Sequence, residues 1–373
     1  MRRKGIDVKL AHMPMDLVIR VAGTAGEGVL SAGDILNLAM KRAGYYTMLY
    51  QSYGAEVRGE GPSMAQVRVS DSPVLSQGDE VDVLIALNQD AVDLNIKEVK
   101  KDGLVLYDGK PLDTFGLQKS YMPSFPEGIR GVNVPLASIS HQKLNSLIVK
   151  NMVALGAFSF ISGILFEIVS DIVSSRFGEK SLSALKAGLD YASENLKGEG
   201  FKVEAVSPRP HETLIISGNQ AVSMGAIAAG VKVFAGYPIT PATDIMEFLA
   251  RELPKTGGWV VQTEDEISAV CTLLGASFAG ARAMTATSGP GLSLMVEGIG
   301  LASMSELPSV IVNVQRGGPS TGMPTKTEQS DLNIAVFGSH GDSPRVVLAP
   351  STVEECFYLT VEAFNISEIC QLP

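Results

Sequence analysis

The sequence predicts an α/β protein of two domains. Three observations carry this. The chain has 373 residues, too many for one ordinary core. Apolar strand patterns alternate with helical ones through both halves. Between about residues 197 and 210 the periodicity lapses, and prolines and charges mark a linker.

The elements follow in order. "DLVIRVAG", from Asp16, reads as a buried strand, and "GVLSAGDILNLAMKRAG" as a helix closed by Gly44. "YYTMLYQ" and "MAQVRVS" alternate as strands. "VDVLIALN" is a fully apolar strand, followed by a helix and then "GLVLYDG" as a further strand. That rhythm predicts a parallel sheet with covering helices. Residues 111–135 read as irregular, and a helical pattern runs from about Leu144 to Leu196. Within it, "NMVALGAFSFISGILF" is too short to span a bilayer and reads as a buried helix.

The second half restarts with "TLIISG" as strand, "NQAVSMGAIAAG" as helix and "VKVFAG" as strand. A helix near Thr243–Leu253, a strand at "WVVQT", a helix from Glu264 and a strand at "ARAMTAT" follow. Then come a helix from "GPGLSLMVEGIG", a strand at "PSVIVNVQ", a polar loop over 316–330, a strand at "PRVVLAP" and a helix at "TVEECFYLTVEAF". The terminal "EICQLP" stops where the rhythm calls for another strand, so this domain is expected to be incomplete.

Composition excludes several functions. A net charge of −10 argues against a broad basic face for nucleic acid. Cys271, Cys356 and Cys370 form no CxxC, so neither a disulfide framework nor a complete cysteine-ligated cluster is expected from this chain. The basic start "MRRKGIDVKLAHMP" lacks the apolar run of a signal peptide, and a reducing cytosol is the expected setting. His12, His141, His211 and His340 show no ligand spacing, and no metal site is expected. No G-x-S-x-G elbow supports a serine hydrolase.

Six stretches carry candidate chemistry. "GTAGEG", Gly23–Gly28, joins a strand to its helix, where glycines admit an anion to the helix N-terminus. Its spacing is GxxGxG rather than the dinucleotide fingerprint, so a plain tight turn explains it equally well. Asp71 and Asp79 are not spaced to act as a ribose partner, which weighs against a nicotinamide-dependent dehydrogenase. "QSYGAEVRGEGPS" puts Tyr53, Glu56, Arg58 and Glu60 in a glycine-rich loop suited to a phosphate-bearing ligand. "FAGYPITPATDIMEF" frames Thr240 between Pro238 and Pro241. Thr240 reads as the N-cap of the following helix, with Asp244 in the first turn, and its hydroxyl as an anion ligand. "VQTEDEISAV" places Glu266 about one turn into a helix, where a buried carboxylate has to serve a partner. "TATSGPGLSLM" runs from a strand of small residues into a helix, and "QRGGPSTGMPTKTEQSDL" holds Arg316 and Lys326 in a candidate substrate lid.

Taken in order, "GYPITP", "QTEDEISAV", "TATSGPGLSLM" and "QRGGPSTGMPTKTEQSDL" resemble the α subunit of 2-oxoacid:ferredoxin oxidoreductases. "VAGTAGEGVLSAGDIL", "SYGAEVRGEGPS" and "SDSPV" resemble the γ domain of the same enzymes, and the γ-then-α order is that of the 2-oxoglutarate branch. The resemblance spans about 16–369. It implies a γ-type domain over 1–200, a linker over 201–211 and a thiamine-enzyme pyrimidine-type domain, with a mainly parallel sheet, over 212–373. It implies oxidative decarboxylation of a 2-oxoacid to an acyl-CoA, with electrons passing to ferredoxin. The implied cofactors are thiamine diphosphate and Mg²⁺, shared with a β subunit that also carries a four-iron four-sulfur cluster, with coenzyme A as co-substrate. The implied assembly is a cytoplasmic hetero-oligomer such as (αβ)2, binding neither nucleic acid nor membrane. By motif, Glu266 faces N1′ of the aminopyrimidine, with Glu264 the rival. Tyr237, Ser288 and Gly289 join it on the thiamine side. Thr240 hydrogen-bonds the substrate carboxylate, with Arg316 or Lys326 as its cation. Gly23, Gly26, Gly28 and Arg58 lie towards coenzyme A. The family's α subunits continue for a further domain that is not present here, so the chain is expected to be inactive alone. A docking or CoA-binding fragment is the alternative.

Overall fold

The computed structural model describes residues 15–54, 61–110, 120–164, 166–199, 203 and 214–373. Its contacts divide the chain into two units, Met1–Glu212 and Thr213–Pro373. Apart from Val203, the expected linker at 201–211 lies outside the described residues.

The first unit is built on a six-stranded sheet. Its strands are β1 (Asp16–Thr24), β2 (Tyr46–Tyr53), β3 (Pro62–Ser70), β4 (Val81–Ala86), β5 (Val99–Tyr107) and β6 (Arg130–Asn133), in the order β2-β3-β1-β4-β5-β6. The expectation of a purely parallel sheet is corrected here: β3 pairs antiparallel with both β1 and β2. The connection from Tyr53 to Pro62 is too short for the crossover a parallel pair needs. β6 falls inside the stretch read as irregular. It is a short strand with only Val132 buried, so it lacks a legible alternation.

Helices α1 (Val29–Arg42), α3 (Leu136–Leu144), α4 (Lys150–Ser162) and α5 (Phe166–Asn195) accompany the sheet, and α2 (Gln89–Asn95) covers the face formed by Val18, Ala22, Leu84 and Val105. On the opposite face, Ile35, Phe158, Ile172 and Leu185 from α1, α4 and α5 pack on Ile19, Val67, Val83 and Leu104. Each such buried side chain contributes about 1.5–3 kcal/mol. The helical pattern over 144–196 is thus two helices, with α3 starting earlier than expected. α5 is broken at Gly178, whose φ of 75° is left-handed.

α4 and α5 touch at the main chain. A Cβ added to Gly156 would stand 1.9 Å from the Leu185 carbonyl oxygen, and one added to Gly188 would stand 2.0 Å from that of Val153. This reciprocal contact explains both glycines inside helices that would otherwise favour alanine.

The second unit is a four-stranded, fully parallel sheet of β7 (Val233–Gly236), β8 (Trp259–Gln262), β9 (Ala283–Thr287) and β10 (Val310–Asn313), in the order β10-β9-β7-β8. One face packs on α6 (Gly218–Ala228), α7 (Thr243–Glu252) and α11 (Val353–Cys370) through Ala226, Ile245, Leu249 and Phe364. The other apolar cluster joins α8 (Glu266–Phe278) and α9 (Gly289–Met304) through Ala269, Val270, Leu292 and Met295. A short helix, α10 (Leu332–Phe337), follows the polar loop.

Two expected strands are absent among the described residues. In "TLIISG", Leu214 and Ile215 are exposed, and Ser217 instead caps α6 in a capping box with Gln220. "PRVVLAP" has no ladder to join. Val346 and Val347 stay half-exposed, and the Val346 N–H donates to the Pro373 carbonyl.

Gly156→Ala forces the two helices apart and is expected to lower unfolding stability by about 3 kcal/mol. Gly275→Ala, inside α8 with nothing within 4 Å of the added carbon, is expected to raise it by about 0.4–1 kcal/mol. Chemical denaturation of the two variants checks both signs.

Candidate functional site

The chain passes from β7 to β8 on one side and then returns across β7 to β9. The strand order therefore reverses between β7 and β9, and α/β sheets open a crevice at the carboxyl ends of such strands. Every candidate residue of the second unit follows a strand at that edge.

Glu266 follows β8. It is the first residue of α8, not one turn in as the sequence suggested, because Asp265 takes the cap: its carboxylate accepts from the Ser268 N–H at 2.7 Å. Those bonds hold the Asp265 carboxyl below its ordinary pKa. Glu264 precedes the cap and lies outside the helix. The Glu266 side chain is 5% exposed, and no described residue hydrogen-bonds to its carboxylate. The room for it comes from a missing side chain. A Cβ on Gly291 would stand 2.6 Å from Glu266 Oε1 and 2.0 Å from Thr287 Oγ1.

The end of β9 surrounds that notch. Met284 and Ala286 face the apolar layer of α6 and α7, so alternation turns Thr285 and Thr287 to the other face. Thr285, Thr287 and Ser288 are fully buried, and their hydroxyls have no hydrogen-bond partner among the described residues. Ser288 is the N-cap residue of α9 without making a side-chain cap bond. A Cβ on Gly289 would stand 3.6 Å from the carboxylate oxygens of Asp331, the N-cap residue of α10. Asp331 accepts from Asn313 Nδ2 at 3.0 Å, and its N–H donates to Gln315 Oε1.

Thr240 departs from expectation. It is not the N-cap of α7, which begins at Thr243 after Ala242 and has no side-chain cap bond. The N–H groups of Ala242 and Thr243 donate to the Ile239 carbonyl, and this turn displaces the helix start. The Thr240–Pro241 peptide is cis. Thr240 and Tyr237 are both exposed beyond the end of β7, and Asp244 lies in the first turn of α7 as expected.

Arg316 and Lys326 part company. Arg316 is 4% exposed and spans two loops, donating from Nη1 to the Thr240 carbonyl at 2.5 Å and from Nη2 to that of Thr321 at 2.6 Å. Burial lowers its pKa against the opposing pull of the Asp331 and Glu266 charges, and a guanidinium stays ionised regardless. Lys326 is exposed. The loop is cross-tied rather than loose. The Gly317 N–H donates to the Lys326 carbonyl, and the Met323 N–H to that of Gly317. Gly322, with φ 62°, has no space for a side chain beside Gly317.

The first unit has its own crevice. Its strand order reverses between β1 and β4, where a cavity of about 260 Å³ is lined by Glu27, Asn88, Asp108 and Lys150. The Glu27 carboxylate accepts from the Thr24 N–H and Asn88 Nδ2 and pairs with Lys150. Asp108 accepts from the Ala137 and Lys110 N–H groups, yet burial still raises its pKa. Among the candidate glycines, packing explains two. A side chain on Gly23 would meet Glu27 and Leu87, and one on Gly28 would meet Asn151. Gly26, with φ 90°, borders open space. Arg58 lies outside the described residues.

Thr287, Gly291 and Asp331 escaped the sequence reading. The signal for Thr287 was present: two threonines at i and i+2 in an apolar strand put hydroxyls on one buried face.

The chemistry of the notch fits the aminopyrimidine end of a thiamine cofactor, for it sets a nearly buried carboxylate that no described residue hydrogen-bonds beside small residues at the end of a strand. The second unit is thus of the thiamine diphosphate-binding class. Residues 224–373 match the family described as pyruvate flavodoxin/ferredoxin oxidoreductase, thiamine diphosphate-binding, and residues 18–193 match pyruvate ferredoxin/flavodoxin oxidoreductase. The chain belongs to the 2-oxoacid:ferredoxin oxidoreductase family. It is 35% identical over 390 residues to the 2-oxoglutarate oxidoreductase subunit KorA of Mycobacterium tuberculosis, covering 96% of this chain and 59% of that one. It is 55% identical over 158 residues to the 2-oxoglutarate synthase subunit KorA of Methanocaldococcus jannaschii, covering 42% and 43% of the two. It superposes with a TM-score of 0.87, at 42% identity, on the 2-oxoglutarate:ferredoxin oxidoreductase of Magnetococcus marinus with 2-oxoglutarate, coenzyme A and succinyl-CoA bound, covering 96% of this chain and 62% of that one. The chain thus spans about six-tenths or less of these relatives' lengths.

Arg316→Met removes both carbonyl ties. Amide exchange at Ala242, Thr243, Gly317 and Met323 is expected to accelerate about tenfold or more, with β9 unchanged, as measured by hydrogen–deuterium exchange.

Proposed function

We propose that the chain is the γ-fused α portion of a 2-oxoacid:ferredoxin oxidoreductase acting on 2-oxoglutarate. The reaction joins the 2-oxoacid to coenzyme A, releases carbon dioxide and passes two electrons to ferredoxin. The observation that carries this reading is the Glu266 carboxylate, buried without a donor beside the Gly291 notch. The ligands of the Magnetococcus marinus structure support 2-oxoglutarate and coenzyme A as the substrates.

When bound, thiamine diphosphate supplies the carbanion chemistry of decarboxylation. Glu266 holds a proton at N1′ of the aminopyrimidine. Tyr237, Ser288 and Gly289 border the ring. The Thr240 hydroxyl and the Lys326 ammonium take the substrate carboxylate. Arg316 positions them, since both of its terminal nitrogens donate to main-chain carbonyls of the two loops. Lysine at 326 offers a compact point charge rather than an arginine fork.

The first unit, residues 1–200, lies towards coenzyme A, with Gly23, Gly26, Gly28 and Arg58 on that side. Residues 201–211 link it to the thiamine domain at 212–373. A β subunit supplies the diphosphate and Mg²⁺ half of the site and the four-iron four-sulfur cluster, in a hetero-oligomer of (αβ)2 type that meets ferredoxin in the cytoplasm. No helix among the described residues is long and apolar enough to cross a membrane.

The test is the holoenzyme assembled with its β subunit. Glu266→Gln is expected to lower 2-oxoglutarate- and CoA-dependent viologen reduction about 10²–10⁴-fold while assembly persists. Full turnover by that variant refutes the assignment. Lys326→Ala is expected to raise KM for 2-oxoglutarate about tenfold, with KM for coenzyme A unchanged, in the same assay.

A further inference from the structure

Three hydroxyls at the end of β9, those of Thr285, Thr287 and Ser288, are buried and have no hydrogen-bond partner among the described residues. A buried polar group without a partner destabilises the fold, so its retention calls for a reason. Of the three, Thr287 stands against the Glu266 carboxylate, which, unlike that of Asp331, accepts no hydrogen bond from a described residue. Its Oγ1 and Glu266 Oε1 lie 2.0 and 2.6 Å from the same point, the place a Gly291 side chain would take. A donor without an acceptor and an acceptor without a donor therefore flank a single notch.

We propose that Thr287 is a positioning residue: in the assembled site its hydroxyl donates to the Glu266 carboxylate and holds it facing the aminopyrimidine. This rests on the function proposed above. The charged groups facing Glu266 are few. Arg316 approaches from the loop after β10, with Asp331 of the α10 cap beside it. β9 and the first turn of α9 carry no charge, nor does β7, and Glu264 and Asp265 precede Glu266 on its own segment. Arg316 attracts the carboxylate from the loop without hydrogen-bonding to it, so a second, directional tether has a task. Thr287 supplies it from the strand, and Gly291 keeps the path open.

Three variants of the holoenzyme test this. Thr287→Val keeps the shape and removes the hydroxyl. It is expected to lower kcat about tenfold or more, to leave KM for 2-oxoglutarate and coenzyme A within about twofold, and to weaken the near-ultraviolet circular-dichroism signature of the bound imino tautomer. Its melting temperature without cofactor is expected to be equal or higher, because a buried hydroxyl without a partner has gone. Thr287→Ser is expected to restore both rate and signature. Thr285→Val, on the same face one pleat back, is expected to leave both unchanged. Wild-type turnover and the Glu266→Gln loss judge the function separately. Given those, full activity and signature in Thr287→Val overturn the proposal, as does a Thr287→Ser variant as impaired as Thr287→Val.

Discussion

Much of the thiamine-binding unit answers to one constraint: a carboxylate has to be nearly buried and still stay available. Burying Glu266 without a donor is unfavourable in a protein interior. The fold meets this with position and with room. α8 begins at Glu266, so the carboxylate lies at the positive end of a helix. Arg316 lends charge from the neighbouring loop without bonding to it. Gly291 gives up its side chain to leave space beside it.

The same economy shapes the loops. A buried arginine normally seeks a carboxylate, yet Arg316 takes carbonyls from two separate segments. Its charge therefore remains available to the site while its hydrogen bonds fix the surroundings. Lys326, held in register by the Gly317 N–H to its carbonyl, is left at the surface. One cation organises and the other meets solvent, a division that arginine's fixed fork and lysine's flexible stem suit.

Much of the fold was legible because buried parallel strands read as apolar runs: "VDVLIALN", "VKVFAG" and "ARAMTAT" became β4, β7 and β9. The failures share a cause, which is that strands need neighbours. "TLIISG" and "PRVVLAP" have the composition of strands but no ladder to join, whereas β6 has a ladder through β5 and almost no pattern of its own. The antiparallel course of β3 follows from a short connection, which periodicity does not weigh. Within the site, Glu266 was legible as an acid amid small apolar residues. Thr240 was misread as a cap because a turn at Ile239 delays the helix. Thr287 was hidden by its ordinariness, for threonine in a strand calls for no comment until its hydroxyl proves to have no partner.

In the first unit, the paired glycines of α4 and α5 fix more than a distance. Each helix lays a bare stretch of main chain against a carbonyl of the other, at Gly156 on Leu185 and at Gly188 on Val153. Two such points, one on each partner, remove both sliding and rolling, as two dowels lock a pair of boards. Both contacts fall after Gly178, where the backbone departs from the helix, so α4 is clamped to the second half of α5 and that glycine divides the clamped half from the rest.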